Sequence, residues 1–176
     1  MKLFPILAML LAHTFTSEKI MRVYVNLIEA IDHGDFSQMD LIHHLTSAGK
    51  SVFTQDCQDA LYTIRQSLGG AGYSAWSNLP YLIDAFSPEV TYEGDNTVMA
   101  QQSFNYLRKQ IKKVKTRGSI KEEGFFDYLN ELKELTNLKC SGTDHTHFLS
   151  VENIHTALKV NLAYKVKAIS LQIDTN

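Results

Sequence analysis

LTSAGKSVFTQDCQDALYTIRQSLGGAGY, residues 45–73, keeps helical spacing for about seven turns and then breaks on three glycines within four residues. Leu41, Leu45, Ala48, Val52, Ala60, Ile64 and Leu68 recur at the helical period and form one apolar stripe. Gly69 and Gly70 supply the stop signal that commonly ends a helix. With no alternating strand pattern of useful length elsewhere, this stretch predicts an all-α fold, an antiparallel helical bundle.

Upstream, a first helix is expected from about Pro5 to Asp32, with Ile20, Val23, Tyr24, Leu27 and Ile31 on its apolar side. Glu18, Lys19, Arg22, Asn26 and Glu29 fall largely off that stripe, and a buried core helix is expected. His33-Gly34-Asp35 ends it, and Ser37 with Asp40 resembles a capping box. Met1-Lys2 and the apolar run Leu3 to Ala12 also have the charge and apolarity of a secretory signal. Pro5 interrupts that run, no small-x-small cleavage site precedes Glu18-Lys19, and the run is too short to span a membrane.

Downstream, Ala71 to Tyr92 is expected to be an ordered, apolar loop containing Pro80 and Pro88, with Tyr73 and Trp76 more suited to core than to stacking on a ligand. A third helix begins at Asn96-Thr97, with Ala100, Phe104, Leu107 and Ile111 on one face. Its basic end, Arg108 to Arg117, suits a helix C-terminus. A polar, mobile linker is expected over Thr116–Glu123. A short helix with Phe126, Leu129, Leu132 and Leu135 follows, then a break at Ser141-Gly142-Thr143-Asp144. Ser150 caps a last helix with Ile154, Leu158, Leu162, Val166 and Ile169 along its stripe. Residues 1–115 therefore form one helical bundle domain, and 116–176 a linker and the start of a second, incomplete helical region.

The chain has 176 residues, 44% hydrophobic and 20% charged, which is ordinary for a globular domain. A formal net charge of −2 argues against a bulk electrostatic partner such as DNA, and no nucleic-acid partner is expected. Cys57 and Cys140 make no disulfide framework, and no His/Cys spacing matches a zinc pattern, so no metal is assigned. Asp56 and Asp59 beside Cys57 disfavour a thiolate there. A polar loop accounts for Asp144, His145 and His147 better than a metal site does.

The chemistry concentrates in Thr91-Tyr92-Glu93-Gly94-Asp95-Asn96, where a lone carboxylate stands in a glycine-flanked turn at a helix mouth. Abstracting a proton from carbon beside a thioester needs a base held in a site sheltered from water, and burial raises a carboxylate's proton affinity toward that task. Glu93 fits such a base, and Gly94 would let the backbone approach a substrate closely. Glu93 equally fits a first-turn acid that favours the following helix N-terminus. Gly69, Gly70 and Gly72 close a helix, unlike a dinucleotide fingerprint, which follows a strand. They fit either a backbone surface pressed against a phosphate or ring, or a plain C-cap and turn.

Lys2-Leu3-Phe4-Pro5-Ile6-Leu7-Ala8, Gly34-Asp35-Phe36 and Thr46-Ser47-Ala48-Gly49-Lys50-Ser51 resemble successive landmarks of the peroxisomal acyl-CoA oxidases. Gly69-Gly70-Ala71-Gly72-Tyr73-Ser74, Leu79-Pro80 and Thr91-Tyr92-Glu93-Gly94-Asp95-Asn96-Thr97-Val98 continue the series in the same order, covering about Lys2 to Lys109. The resemblance implies the C-terminal helical domain of the acyl-CoA dehydrogenase and oxidase type. It further implies FAD-dependent oxidation of fatty acyl-CoA to trans-2-enoyl-CoA in fatty acid β-oxidation, with molecular oxygen reoxidising the flavin to give hydrogen peroxide. Glu93 would be the catalytic base, Gly94 would bind substrate, and Gly70, Gly72 and Asn96 would bind FAD, across a homodimer interface in a peroxisome.

The family pattern has Cys before the glycine pair and His within it, where this chain has Leu68 and Ala71. The family's N-terminal helical and β-domains have no counterpart here, and Asp174-Thr175-Asn176 is not a peroxisomal address. A fragment or shortened member is therefore expected, with little activity in isolation. Two other classes remain open: a non-catalytic helical interaction module derived from the same family, and a secreted helical protein using the N-terminal run as a signal.

Overall fold

The computed structural model describes residues 2–120, 125–142 and 144–175, side chains through residue 170, and among them every regular element is helical. Two compact units divide between Tyr106 and Leu107. The first is built on α1 (Leu3–Asp32) and α2 (Met39–Ser67), which form an antiparallel hairpin. Their connection is closed by the Gly34 amide donating to Ile31 O at 2.8 Å and the Asp35 amide to Ala30 O at 2.9 Å. The expected capping box does not form. Asp35 Oδ1 accepts from the Ser37 amide at 2.9 Å, and α2 opens after Gln38 with no side-chain cap, because that aspartate already organises the turn.

Where an apolar loop was expected, the chain folds into α3 (Gly70–Tyr73), a 3₁₀ turn (Ala75–Ser77), α4 (Leu79–Phe86) and a second 3₁₀ turn (Ser87–Val90). Both prolines sit in opening turns, where a missing N–H costs nothing. α3, α4 and the second 3₁₀ turn all pack on α2, and Leu79 and Ile83 join Leu27, Ile42, Leu45 and Ala60 in the core. Tyr73 and Trp76, expected as core, are 80% and 99% exposed.

The first helix also differs from a core helix. Leu27 is its buried residue, while Phe4, Leu7, Leu11, Phe15 and Met21 stand exposed, since α2 is the element packed along it within this unit. On α2 the covered side is rotated from the expected stripe: Ile42, Leu45, Ser47, Gly49 and Ala60 are buried, and Val52 and Leu68 are exposed.

α5 (Asn96–Arg117) starts where expected and crosses the division between units. In the first unit it presents Ser103 and Tyr106 inward: His44 Nδ1 lies 3.0 Å from Ser103 Oγ, and its ring stacks on Tyr106 at 4.7 Å. Ala100 and Phe104, on the expected stripe, face outward. In the second unit, α6 (Asp127–Asn130) and α7 (Leu132–Asn137) replace one expected short helix, and both pack on α9 (Val151–Thr175). Phe126, Leu129, Leu135, Ala163 and Val166 are buried there. The expected stripe residues Ile154, Leu158 and Leu162 are exposed, while Ala163 and Ser170 are covered. Tyr164 Oη donates to Thr136 O at 2.8 Å, tying α9 to α7. Ser150 Oγ receives the Asn153 amide at 3.5 Å, the expected cap in a long form. Of the expected linker and break, Lys121, Glu122, Glu123 and Thr143 lie outside the described residues.

Candidate functional site

The turn before α5 holds the one consecutive pair of positive-φ residues among the described residues. Glu93 has φ 56° and Gly94 φ 109°, two consecutive residues in the region that ordinary side chains avoid. A non-glycine residue held there costs about 1–2 kcal/mol and persists only when its surroundings over-determine it. The surroundings are visible on both sides. The Thr91 and Tyr92 amides donate to Pro88 O at 2.9 and 3.0 Å, and Asp95 Oδ1 accepts from the Thr97 amide at 2.8 Å.

α2 supplies the third restraint. Lys50 Nζ donates to Gly94 O and, at 2.8 Å, to Asn96 Oδ1. Asn96 Nδ2 donates to Thr54 Oγ1 at 3.0 Å, and Thr54 passes its own proton to Lys50 O at 2.8 Å. A hydroxyl has one proton, so this is the arrangement in which every polar group of the cluster finds a partner. Gly94 and Asn96, on either side of Asp95 and directly after Glu93, are thus joined to a helix some 44 residues earlier in the chain.

The Glu93 side chain is exposed, so the shelter expected of a base is not furnished by the described residues of this chain. Beside it, the Tyr92 phenol is pushed up by its hydrogen bond to Glu89, with the Glu89 and Glu93 charges adding to the effect. At Gly94 a Cβ would lie 2.6 Å from Met99 Cε, so the backbone there is closely covered on one side.

The two other glycines behave differently from each other. A Cβ on Gly70 would meet nothing within 4 Å, and Gly70 lines an open cavity of 790 Å³ with Tyr62, Arg65, Tyr73 and Asp84 among its walls. Gly72 is buried, and a Cβ there would fall 2.1 Å from Arg65 O. Close packing of α3 on the end of α2 therefore explains that glycine. Glu93, Gly94 and Asn96 do not line this cavity. A second, apolar groove of 380 Å³ between α1 and α2 is lined by Ile20, Met21, Tyr24, Leu45, Lys50 and Phe53.

Residues 1–108 match the family model described as "Acyl-CoA oxidase, C-alpha1 domain". The chain belongs to the acyl-CoA oxidase family. It is 36% identical over 131 residues to peroxisomal acyl-coenzyme A oxidase 1 of Bos taurus, covering 74% of this chain and 20% of the relative. It is 31% identical to the Pongo abelii protein of the same name, over 97% of this chain and 25% of that one. Among solved structures, Arabidopsis thaliana acyl-CoA oxidase 1 superposes with a TM-score of 0.86 at 27% identity, over 95% of this chain and 25% of the other. The tomato acyl-CoA oxidase LeACX1 gives 0.77 at 26%, over 90% of this chain and 25% of the other. The chain thus spans about a fifth to a quarter of the length of these relatives.

Within this chain of the acyl-CoA oxidase family, the bonds of Lys50 and Thr54 to the turn have no counterpart among the residues expected at the site. Their four-residue spacing on one helix face was legible, but their partner turn was not. Arg65 stands on the cavity wall with Tyr62 and Tyr73, a placement that nothing in its local sequence signalled. Elsewhere, Asp144 Oδ1 caps α8 (His145–Leu149) by accepting from the Thr146 and His147 amides at 2.9 and 3.1 Å. The Thr146 hydroxyl bond, with these amides, holds that carboxyl below its usual range. Burial, with the Asp56 charge, pushes the Cys57 thiol up. Among the described residues no helix is long and apolar enough to cross a membrane, and no three His, Cys, Asp or Glu side chains cluster as metal ligands.

Proposed function

We propose that this chain is the base-carrying helical portion of an acyl-CoA oxidase that converts fatty acyl-CoA to trans-2-enoyl-CoA, with Glu93 removing the α-proton. The observation that carries this reading is the strained left-handed Glu93, held by bonds from both sides in a chain of this family. Strain of this kind persists at functional sites because the geometry it gives a side chain is used. Gly94, next to the base, has Met99 where a Cβ would stand and would offer its backbone to the acyl thioester. Residues 1–115 would form the base-carrying domain and 116–176 the start of a second helical region.

The wall of the 790 Å³ cavity suits one edge of FAD: Arg65 offers a cation for a phosphate, Tyr62 and Tyr73 offer ring faces, and Gly70 leaves the backbone open. Bound FAD would supply the acceptor for the β-hydride and pass the electrons to molecular oxygen. Gly72, turned into α2, would contribute by placing this wall. The Asn96 side chain is committed to Lys50 and Thr54, so any contact it makes with the cofactor would come from its backbone. The remaining walls, and the cover over Glu93, would come from a flavin-holding portion and from a second subunit in a homodimer. A peroxisomal location and a role in fatty acid β-oxidation follow by similarity to the relatives named peroxisomal.

The test combines this chain with the flavin-holding portion of a related oxidase and measures bound flavin and acyl-CoA-dependent peroxide. Peroxide formation that disappears in Glu93→Gln, with flavin content unchanged, is the expected result. Undiminished turnover in Glu93→Gln removes Glu93 as the base. The exposure of Glu93 favours a second reading, a non-catalytic helical module of the same family, and that reading predicts no acyl-CoA-dependent peroxide in the combined protein even where flavin is bound.

A further inference from the structure

We infer that Lys50 is a positioning residue for the Glu93 turn, an inference that rests on the proposed role of Glu93 as base. Lys50 is half-buried, with its stem along the apolar groove of Ile20, Met21, Tyr24 and Phe53. Among the described residues its ammonium meets two neutral oxygens, Gly94 O and Asn96 Oδ1, and no carboxylate. A lysine serving only solubility would extend into water or pair with an acid on its own helix. This one instead bonds the peptide carbonyl immediately after Glu93 and the first side chain of α5.

That placement matters because a left-handed conformation at a non-glycine residue such as Glu93 is disfavoured and needs bonds from its surroundings to hold it. Gly94 O marks the peptide plane linking Gly94 to Asp95, and its rotation would swing Glu93 relative to α5. The ammonium fixes that plane, and the same proton donor fixes Asn96, which Thr54 holds from the other side. Three side chains on two helices thus set one backbone conformation. Lys50 touches neither substrate nor reacting atoms in this account; it acts through Glu93.

Lys50→Met keeps the stem in the groove and removes both bonds, while Lys50→Arg keeps the charge and donor. In the chain itself, hydrogen exchange at the Tyr92, Thr97 and Met99 amides, bonded within or beside the turn, should quicken about tenfold in Lys50→Met. Amides of α9 should be unchanged, and Lys50→Arg should restore most of the protection. In the combined oxidase, Lys50→Met should lower kcat about tenfold with KM and flavin content unmoved, since a bond to a charged donor is worth about that factor. Unaltered exchange in Lys50→Met overturns the inference, as does a raised KM at constant kcat. The exchange readout does not depend on catalysis. Faster exchange together with full turnover in Glu93→Gln therefore fails the base and not the hold of Lys50 on the turn.

Discussion

Replacing Gly72 by alanine tests whether the glycine-rich bend is there for packing or for a ligand. An ideal Cβ at Gly72 would sit 2.1 Å from Arg65 O, 3.0 Å from the carbon of the same carbonyl and 3.2 Å from Leu68 Cβ. Carbon and carbonyl oxygen ordinarily meet at about 3.3 Å, so the contact is short by about 1 Å. The obstacle is backbone at the end of a long helix, so no rotamer change relieves it, and α3 must move as a body. That places the cost at or above the top of the range for overpacking, about 3 kcal/mol. For a unit of this size such a loss lowers Tm by more than about 10 °C. Gly70→Ala is the internal control: with nothing within 4 Å of its Cβ, Tm should stay within about 3 °C of the parent. Thermal unfolding of the three chains followed by far-ultraviolet circular dichroism decides the matter. A Gly72→Ala chain melting alongside the Gly70→Ala control would falsify the packing account of Gly72 and return that position to a ligand-facing role.

Glu93→Gly should raise the stability of the chain by about 0.5–1 kcal/mol in denaturant titration, because it relieves a left-handed non-glycine residue, while abolishing any peroxide formed by the combined oxidase. A destabilised Glu93→Gly chain would show that the side chain is held by contacts and not strained. Cys140, which is exposed, should alkylate with iodoacetamide well before Cys57, whose thiol is pushed up by burial; peptide mass spectrometry at mildly alkaline pH reads the order. Asp144 is held below the usual carboxylate range when folded, so its cap is intact above the ordinary aspartate pKa and is lost as pH falls through the lower, folded value. The Thr146 and His147 amides should therefore exchange faster, relative to α9, only in strongly acidic solution, and a loss beginning near neutral pH would contradict the sign.

Much of the fold was legible because the long helices carry their own evidence. Asn96 opens α5 and the Gly69-Gly70 stop ends α2 within a residue or two of expectation. The segment between them was less legible. Pro80 and Pro88 suggested a loop, but each occupies a position in a short helix where proline is tolerated. Glu93 and Gly94 were recognisable as a turn, yet the left-handed conformation at a glutamate left no mark in composition. Lys50 and Thr54 lay on α2 in plain view, four residues apart, and nothing local pointed across to Gly94 and Asn96.

From residue order alone came the helical class, the places where helices stop, and the likeness to acyl-CoA oxidases, because propensity, glycine breaks and motif order are local properties of the chain. Which faces are covered was decided only in three dimensions. Val52, Leu68, Ile154 and Leu158 obey the apolar period yet stand exposed, while Ser47, Ser103 and Gly49 turn inward. Periodicity reports which side of a helix is apolar, but burial depends on what lies opposite. The same holds for the Glu93 turn, which is bonded by an ammonium that comes within reach only when the chain from α3 to the second 3₁₀ turn folds back on α2.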